Sequence, residues 1–168
     1  MNGLAKDDSP FWRFSLALYG KAGVPAACMR LQDECGADVN VLFYVLFLAR
    51  ACRLIDADDV DRIEALAAPW RDGIVRPLRS VRRALKAPPE HFQIEATQSL
   101  RAMVQRVELE AERLQQLALE RDLPAQAVGI PGTATNECAA TNLRVYAQRL
   151  GGFPAEPVAM ILRRLDDT

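Results

Sequence analysis

The feature that most constrains the fold is an apolar run from Val41 to Ala49, in which nine consecutive residues have apolar side chains. Asp38 precedes the run in a position typical of a helix N-cap, so residues 39–54 are predicted to form a helix with no polar face. Such a helix is normally surrounded by other helices, and we expect it at the centre of the fold. The run is shorter than the roughly 20 residues that a membrane-spanning helix needs, so no membrane partner is expected.

The length and composition of the chain are those of one globular domain. A chain of 168 residues buries enough surface for a single core without disulfides or metal ions. Apolar residues make up 50% and charged residues 26%, which excludes a disordered or fibrous chain. We therefore expect one domain over residues 1–168, with a flexible N-terminus over 1–8 and a loop rich in proline and glycine over 123–135.

Signals for helix starts recur along the chain. Ser9 followed by Pro10 predicts a helix start, and Asp58 or Asp59 is predicted to cap a later short helix. No segment combines the alternation of polar and apolar residues with the β-branched content that is typical of a strand. The predicted fold class is therefore all-α, a single compact domain of about seven helices around the 39–54 helix.

The two helices in the middle of the chain are predicted to form a long antiparallel hairpin. The first spans residues 70–87, the second spans about 91–121, and the prolines at 88–89 allow only a short connection between them. We expect the apolar face of the second helix to be buried within the monomer, with a homodimer through this face as the alternative. That face consists of Leu100, Val104, Val107, Ala111, Leu114 and Ala118.

The net charge of −1 gives no overall field that would draw the chain to DNA, so no DNA binding is expected. A local basic stripe is predicted instead on the 70–87 helix, where cations recur at steps of three and four. Arginine binds carboxylates and phosphates through two hydrogen bonds, which suits docking to an acidic protein or RNA surface. The alternative is a solvated face that the glutamates of the next helix neutralise in part, namely Glu95, Glu108, Glu110 and Glu112. The stripe consists of Arg76, Arg79, Arg83 and Lys86.

A second candidate site consists of polar side chains in otherwise apolar helices. Asn40 lies in the first turn of the central helix, and Asn142 and Tyr146 are one turn apart in the penultimate helix. A buried amide without a hydrogen-bond partner costs roughly 1–3 kcal/mol, so inward-facing amides must be paired. Two interpretations remain open: a structural hydrogen-bond network, or a small polar pocket that binds a ligand.

The sequence contains no recognisable catalytic or metal-binding motif. His91 is the single histidine, and the four cysteines lack Cys-x-x-Cys spacing, as is typical of reduced thiols in the cytosol. The acidic run at 56–61 lacks the glycine and glutamate spacing of an EF-hand loop and indicates helix capping instead. No signal peptide is recognisable at the N-terminus. We therefore predict no cofactor, no metal and a cytoplasmic location.

Residues 11–19 read FWRFSLALY and are followed by GV, AC, LQD and GADVN up to residue 40. This pattern resembles the opening of an uncharacterised proteobacterial family of small proteins, known only as a domain of unknown function. Trp70-Arg71 and RPLR at 76–79 are similar to that family as well, so the resemblance covers mainly residues 10–86. It implies a bacterial cytoplasmic protein and supplies no activity or catalytic residues.

Two functions are compatible with these features. The leading hypothesis is a non-enzymatic helical interaction protein that docks an acidic protein or RNA surface through the basic stripe. The alternative is a small helical enzyme or ligand-binding protein with a polar pocket near Asn40, Asn142 and Tyr146. The first hypothesis requires an exposed, unpaired basic face and no deep polar cavity, and the second requires the reverse.

Overall fold

The computed structural model describes residues 9–165, which form an all-α domain with one two-stranded sheet of minimal length. The N-terminal segment 1–8, which was predicted to be flexible, lies outside the described residues. A π-helical turn at Arg71–Val75 joins the fourth and fifth helices into one continuous rod, so the described residues contain seven separate helical rods. The predicted fold class is confirmed. The helices are α1 (Pro10–Tyr19), α2 (Val24–Cys35), α3 (Val39–Arg50), α4 (Ala57–Trp70), α5 (Arg76–Ala84), α6 (Ile94–Asp122), α7 (Thr135–Arg149) and α8 (Ala155–Leu165).

The apolar helix α3 lies at the centre of the fold, as predicted. Its N-terminus is capped by Asp38, whose carboxylate accepts hydrogen bonds from the backbone N–H groups of Asn40 at 2.8 Å and Val41 at 3.4 Å. Every residue from 40 to 49 is buried except Phe47, which is partly buried. Helices α1, α6 and α7 all pack against it. A helix that is apolar on every side is therefore enclosed on every side.

Helix α3 ends at Arg50, four residues before the predicted end at 54. The chain leaves the helix through Cys52, which has a left-handed backbone (φ 51°), and Arg53–Leu54 then forms the strand β1. This strand pairs antiparallel with β2 (Ile130–Pro131), which corrects the prediction of a chain without strands. The pairing is possible because the 123–135 segment folds back onto α3. The Arg53 side chain secures it with a 2.8 Å hydrogen bond from Nε to the Val128 carbonyl.

The predicted N-cap residue is correct for α1 and wrong for α4. Ser9 caps α1 by accepting a 3.0 Å hydrogen bond from the N–H of Trp12. Helix α4 is capped by Asp56, not by Asp58 or Asp59, and Asp59 completes a reciprocal capping box with it. Asp59 is the third residue of the helix, and its carboxylate accepts a hydrogen bond from the Asp56 N–H. The acidic run at 56–61 thus serves the helix start.

The predicted hairpin is present, but its first helix is longer than expected. A separate helix was predicted to begin at residue 70, whereas α4 continues through Pro69 into the π-helical turn and α5. A distorted turn next to proline is a common way for a helix to continue past the missing N–H. Helix α5 then packs antiparallel to α6, and no residue of α5 is buried. The hairpin therefore extends beyond the main core.

The inward face of α6 differs from the predicted one. Leu100, Val107 and Leu114 are 47%, 54% and 42% exposed, and Ala111 is the only fully buried member of the predicted face. The expectation that this face is buried within the monomer is therefore wrong. The helix instead turns several polar side chains inward, and their partners are buried residues at the start of α3 and partly buried arginines of α5. The buried residues of α6 are Thr97, Glu108, Ala111, Gln115, Gln116 and Leu119.

Candidate ligand-binding cleft

A cleft of about 340 Å³ opens between α1, α2, α3, α5 and α6. This volume lies within the range of pockets that bind small organic molecules. Its inner wall is formed by buried side chains from four helices: Ser15, Cys28, Asn40, Phe43 and Gln116. Its rim carries large apolar side chains that are 42–51% exposed: Leu16, Tyr19, Met29 and Leu109.

Helix α6 contributes one face of mixed character to the cleft. Gln105, Leu109, Glu112 and Gln116 follow each other at steps of four, three and four, which places them on the same side of the helix. Helix α1 contributes a face with the same kind of spacing, formed by Trp12, Ser15, Leu16 and Tyr19. The cleft is therefore amphipathic, with acceptors along one wall and aromatic surface along the other.

Two buried polar atoms in the cleft wall have no hydrogen-bond partner among the described residues. They are the hydroxyl oxygen of Ser15, a residue 3% exposed, and the amide oxygen Oε1 of Gln116, a residue 2% exposed. The other end of the Gln116 amide is used, since Nε2 donates a 2.8 Å hydrogen bond to Oδ1 of Asn40. Each unpaired buried group costs about 1–3 kcal/mol, and native proteins contain few of them. A polar ligand group that reached either of these buried atoms would remove this cost.

Ion pairs between α5 and α6 border the cleft. Arg79 donates from Nε to Glu108 at 2.9 Å and from Nη2 to Glu112 at 2.6 Å, and it also contacts Gln32. Arg82 makes two hydrogen bonds to Glu108, from Nε to Oε2 and from Nη2 to Oε1. Both oxygens of Glu108 are therefore occupied. Among the described residues, Glu112 receives a single hydrogen bond, on Oε1.

The two carboxylates respond differently to their surroundings. Burial by itself would raise the pKa of Glu108, but the hydrogen bonds from Arg82 and Arg79 outweigh burial and leave that pKa below its ordinary value. Burial raises the pKa of Glu112, and Arg79 opposes this only in part. Glu112 is therefore the acid in the cleft whose charge is incompletely compensated. Perturbed acids of this kind are typical of functional sites.

The four residues of the predicted basic stripe lie in different environments. The Arg79 side chain is 20% exposed and lines the cleft, where its partners Glu108 and Glu112 are two of the four glutamates predicted to neutralise the stripe. Arg83 pairs with Asp33 at 3.0 Å and Arg76 pairs with Asp72 at 2.8 Å, both at the surface. Lys86 is exposed. The arginines of the stripe are thus all engaged in ion pairs.

The three residues of the predicted polar pocket do not share one pocket. Asn40 lines the cleft, whereas Asn142 and Tyr146 lie elsewhere in the core. Asn142 is fully buried, accepts a 3.1 Å hydrogen bond from the Ile55 N–H, and donates to the carbonyls of Val45 and Arg53. The Tyr146 hydroxyl accepts a 2.9 Å hydrogen bond from the N–H of Asp38. These two side chains act as structural connectors.

Sequence reasoning missed Ser15 and Gln116. A signal exists for Ser15, which lies three residues after Trp12 and four before Tyr19, on the same face of α1. Gln116 has no comparable signal. Charged and apolar residues both surround it on α6, and their pattern does not predict that this side of the helix faces inward. Arg82 was also missed, since it lies between the stripe positions and was assigned no role.

The cleft contains one thiol, that of Cys28. Burial raises the pKa of Cys28 to about 12, so the thiol is neutral at physiological pH. All four cysteines are free. Across residues 9–165, no group of three or more histidine, cysteine, aspartate and glutamate side chains is arranged to hold a metal ion.

The family model described as protein of unknown function (DUF2390) matches residues 10–119. The match covers more than half of the chain, which therefore belongs to this family. Comparisons with curated proteins and with solved structures each found no match. The cleft is lined by residues between Trp12 and Gln116, so it falls within the matched region, whereas Asn142 and Tyr146 fall outside it. None of the helices in the described part of the chain has the length and apolar content needed to cross a membrane.

Proposed function

We propose that this protein binds a small amphipathic molecule in the cleft between α1, α2, α3, α5 and α6. The observation that carries the proposal is the pair of unpartnered polar atoms in the cleft wall, Ser15 Oγ and Gln116 Oε1. A wall closed for structural reasons alone would be apolar or fully paired. The exposed apolar rim formed by Leu16, Met29 and Leu109 supports the same function, because a ligand would cover it.

Binding, not catalysis, is the activity proposed. The thiol of Cys28 is kept neutral by burial and is a poor nucleophile in that form. Glu112 is suited to contact a ligand, since it lines the cleft with one carboxylate oxygen free of partners among the described residues. We place this activity in the bacterial cytoplasm, which the four free cysteines support.

Docking of an acidic protein or RNA through the basic stripe is the second candidate. Arg76 and Arg83 have side chains 53% and 46% exposed, and Lys86 is exposed as well, so a cationic surface persists around their ion pairs. Exposed pairs of this type contribute little stability and exchange partners easily. The engagement of Arg79 with Glu108 and Glu112 makes this candidate weaker than ligand binding in the cleft.

The test blocks the cleft without disturbing the core. Leu109→Trp adds bulk at the rim, where the side chain is 49% exposed, and Leu100→Trp makes the same change on α6 outside the cleft, at 47% exposure. A library of small organic fragments is screened against the wild type by saturation-transfer NMR. We expect bound fragments to lose their signal with Leu109→Trp and to keep it with Leu100→Trp. Absence of any bound fragment, or equal binding by both variants, would overturn the proposal.

A lysate pull-down combined with the fragment screen separates ligand binding in the cleft from docking through the basic stripe. Arg76, Arg83 and Lys86 are changed together to glutamate, and a lysate pull-down compares this variant with the wild type. Loss of an RNA or acidic protein from the variant, together with no fragment binding in the cleft, would favour docking through the stripe. Retained recovery together with fragment binding would favour the cleft.

A further inference from the structure

The wall of the cleft formed by α6 presents hydrogen-bond acceptors that need donors. Gln116 Oε1 is unpartnered, and Glu112 offers an oxygen that receives no hydrogen bond from the described residues. The two residues are four apart on α6, one turn or about 6 Å along the helix axis. A single donor-rich group placed between them can reach both. An ammonium group has three donors and no acceptor.

A second part of the cleft lining is aromatic. Trp12 and Phe43 are almost fully buried, and Tyr19 at the rim is 42% exposed. The rings of Tyr19 and Phe43 meet edge to face with centroids 6.2 Å apart. Aromatic faces carry partial negative charge and attract ammonium groups as well as apolar surface. Hydrogen-bond acceptors and aromatic surface in one cleft are the combination that recognises organic amines.

The charge around the cleft favours a cation at Glu112 more than at Glu108. Both carboxylate oxygens of Glu108 accept hydrogen bonds from Arg79 and Arg82. Glu112 accepts a single hydrogen bond, from Nη2 of Arg79. Arg79 and Arg82 are themselves neutralised by these contacts, so they repel a third cation less than free guanidinium groups would. The raised pKa of Glu112, caused by burial, is consistent with a carboxylate that lacks a full counter-charge.

We propose that the ligand class of the cleft is a small organic amine, whose protonated nitrogen donates to Gln116 Oε1 and to the Glu112 carboxylate. Its apolar body lies against Trp12, Tyr19 and Phe43. This inference rests on the proposed function, since it specifies the ligand of the same cleft. The Ser15 hydroxyl provides a further polar contact at the inner wall.

The experiment compares three ligands with one apolar body and different charge: phenylpropylammonium, phenylpropanol and phenylpropanoate. Affinities are measured by isothermal titration calorimetry with the full chain. We expect the ammonium compound to bind at least about tenfold more tightly than the alcohol, and the carboxylate compound to bind most weakly. Glu112→Gln should reduce the preference for ammonium over alcohol to near unity. Glu110→Gln, a change on α6 outside the cleft, should leave it intact.

The outcomes distinguish this inference from the proposed function. If the alcohol or the carboxylate binds as tightly as the ammonium compound, the amine inference fails and binding in the cleft stands. If none of the three binds while fragments bind in the NMR screen, the amine inference again fails alone. If neither experiment finds binding, both proposals fail. Glu112→Gln preserves the shape of the side chain, and a thermal unfolding curve checks that the variant folds.

Discussion

Gln115, in the middle of α6, donates a 2.8 Å hydrogen bond from Nε2 to the carboxylate of Asp38, the residue that caps α3. The same carboxylate lies 3.6 Å from the Arg71 guanidinium, and the Asp38 N–H donates to the Tyr146 hydroxyl. Asp38 is 7% exposed and Gln115 is 2% exposed. A buried carboxylate is tolerated only with such partners. The need to pair Asp38 thus helps to fix which side of α6 faces inward.

The unpartnered hydroxyl in the cleft wall makes Ser15→Ala an unusual core substitution. Because Ser15 Oγ forms no hydrogen bond with the described residues, its removal relieves a desolvation cost, and we expect stability to stay unchanged or to rise by up to about 1 kcal/mol. Thr97→Val serves as the comparison, since the Thr97 hydroxyl donates to the Ile94 carbonyl at 2.8 Å, and its loss should cost about 1 kcal/mol. Urea unfolding measures both. A clear loss of stability with Ser15→Ala would contradict the assignment.

Glu108 holds the hairpin to the rest of the domain through Arg79 and Arg82. The Glu108 side chain is 6% exposed, so Glu108→Gln leaves two partly buried guanidinium groups without their main counter-charge. We expect a loss of about 3 kcal/mol in the free energy of unfolding. Glu95→Gln, at an exposed position in the first turn of the same helix, should cost less than about 1 kcal/mol. Equal effects of the two changes would show that the pairs are not buried.

Glu112→Gln should have the opposite effect, and this effect should depend on pH. Because burial raises the pKa of Glu112, the folded state binds a proton more readily than the unfolded state. The charged form therefore destabilises the fold above the raised pKa, and the penalty disappears as the pH falls below the ordinary value for glutamate. We expect Glu112→Gln to be more stable than the wild type at neutral pH, with the difference vanishing near pH 4. Urea unfolding at several pH values tests the trend, and a difference that grows on acidification would contradict it.

Asn142 connects α7 to the end of α3 and to β1. Its side chain accepts from the Ile55 N–H and donates to the Val45 and Arg53 carbonyls, so Asn142→Ala removes three buried hydrogen bonds to the backbone. We expect a loss of about 3 kcal/mol in the free energy of unfolding. Asn136→Ala, an exposed position on the same helix, is the control and should cost less than about 0.5 kcal/mol. The NMR screen should show unchanged fragment binding in folded Asn142→Ala, since Asn142 lies outside the cleft.

Local signals in the sequence predict the elements of this fold well. Ser9 caps α1 and Asp38 caps α3 through bonds to residues two or three positions ahead, so the information lies within a few residues. The burial of the apolar run at 41–49 is likewise predictable from those residues alone. The strand pair is different, because Leu54 and Ile130 meet only after the chain has folded, and neither flanking sequence carries a strand pattern.

The cleft was only partly predictable because it depends on how α6 is rotated. Apolar periodicity favoured an inward face containing Leu100 and Val107, but the pairing of Gln115 with Asp38 and of Glu108 with Arg79 turns a neighbouring face inward. The partners are 77 and 29 residues apart, and one sequence gives no means of matching them. Arg79 was recognised as a functional candidate, and its neutralisation by glutamates was foreseen as an alternative. Its place inside a cleft was not foreseen.

The rotation of α6 leaves an apolar row facing outward, and we propose that a second copy of the chain covers it. Leu100, Met103, Val107 and Leu114 follow at steps of three, four and seven and are 42–54% exposed. This spacing fits the seam of a two-helix contact and extends about 21 Å along the helix. Sedimentation velocity over a range of concentrations should therefore detect a dimer.

Val107→Glu tests this interface because the residue lies in the middle of the row and is 54% exposed, so the monomer tolerates the charge. We expect the variant to sediment as a monomer at concentrations where the wild type is a dimer, since a glutamate at the seam must lose its hydration on association. Leu109→Glu, on the cleft side of α6 at 49% exposure, is the matched control and should still dimerise. A wild type that is monomeric at every concentration, or two variants that dimerise equally, would show that the row faces solvent or another partner.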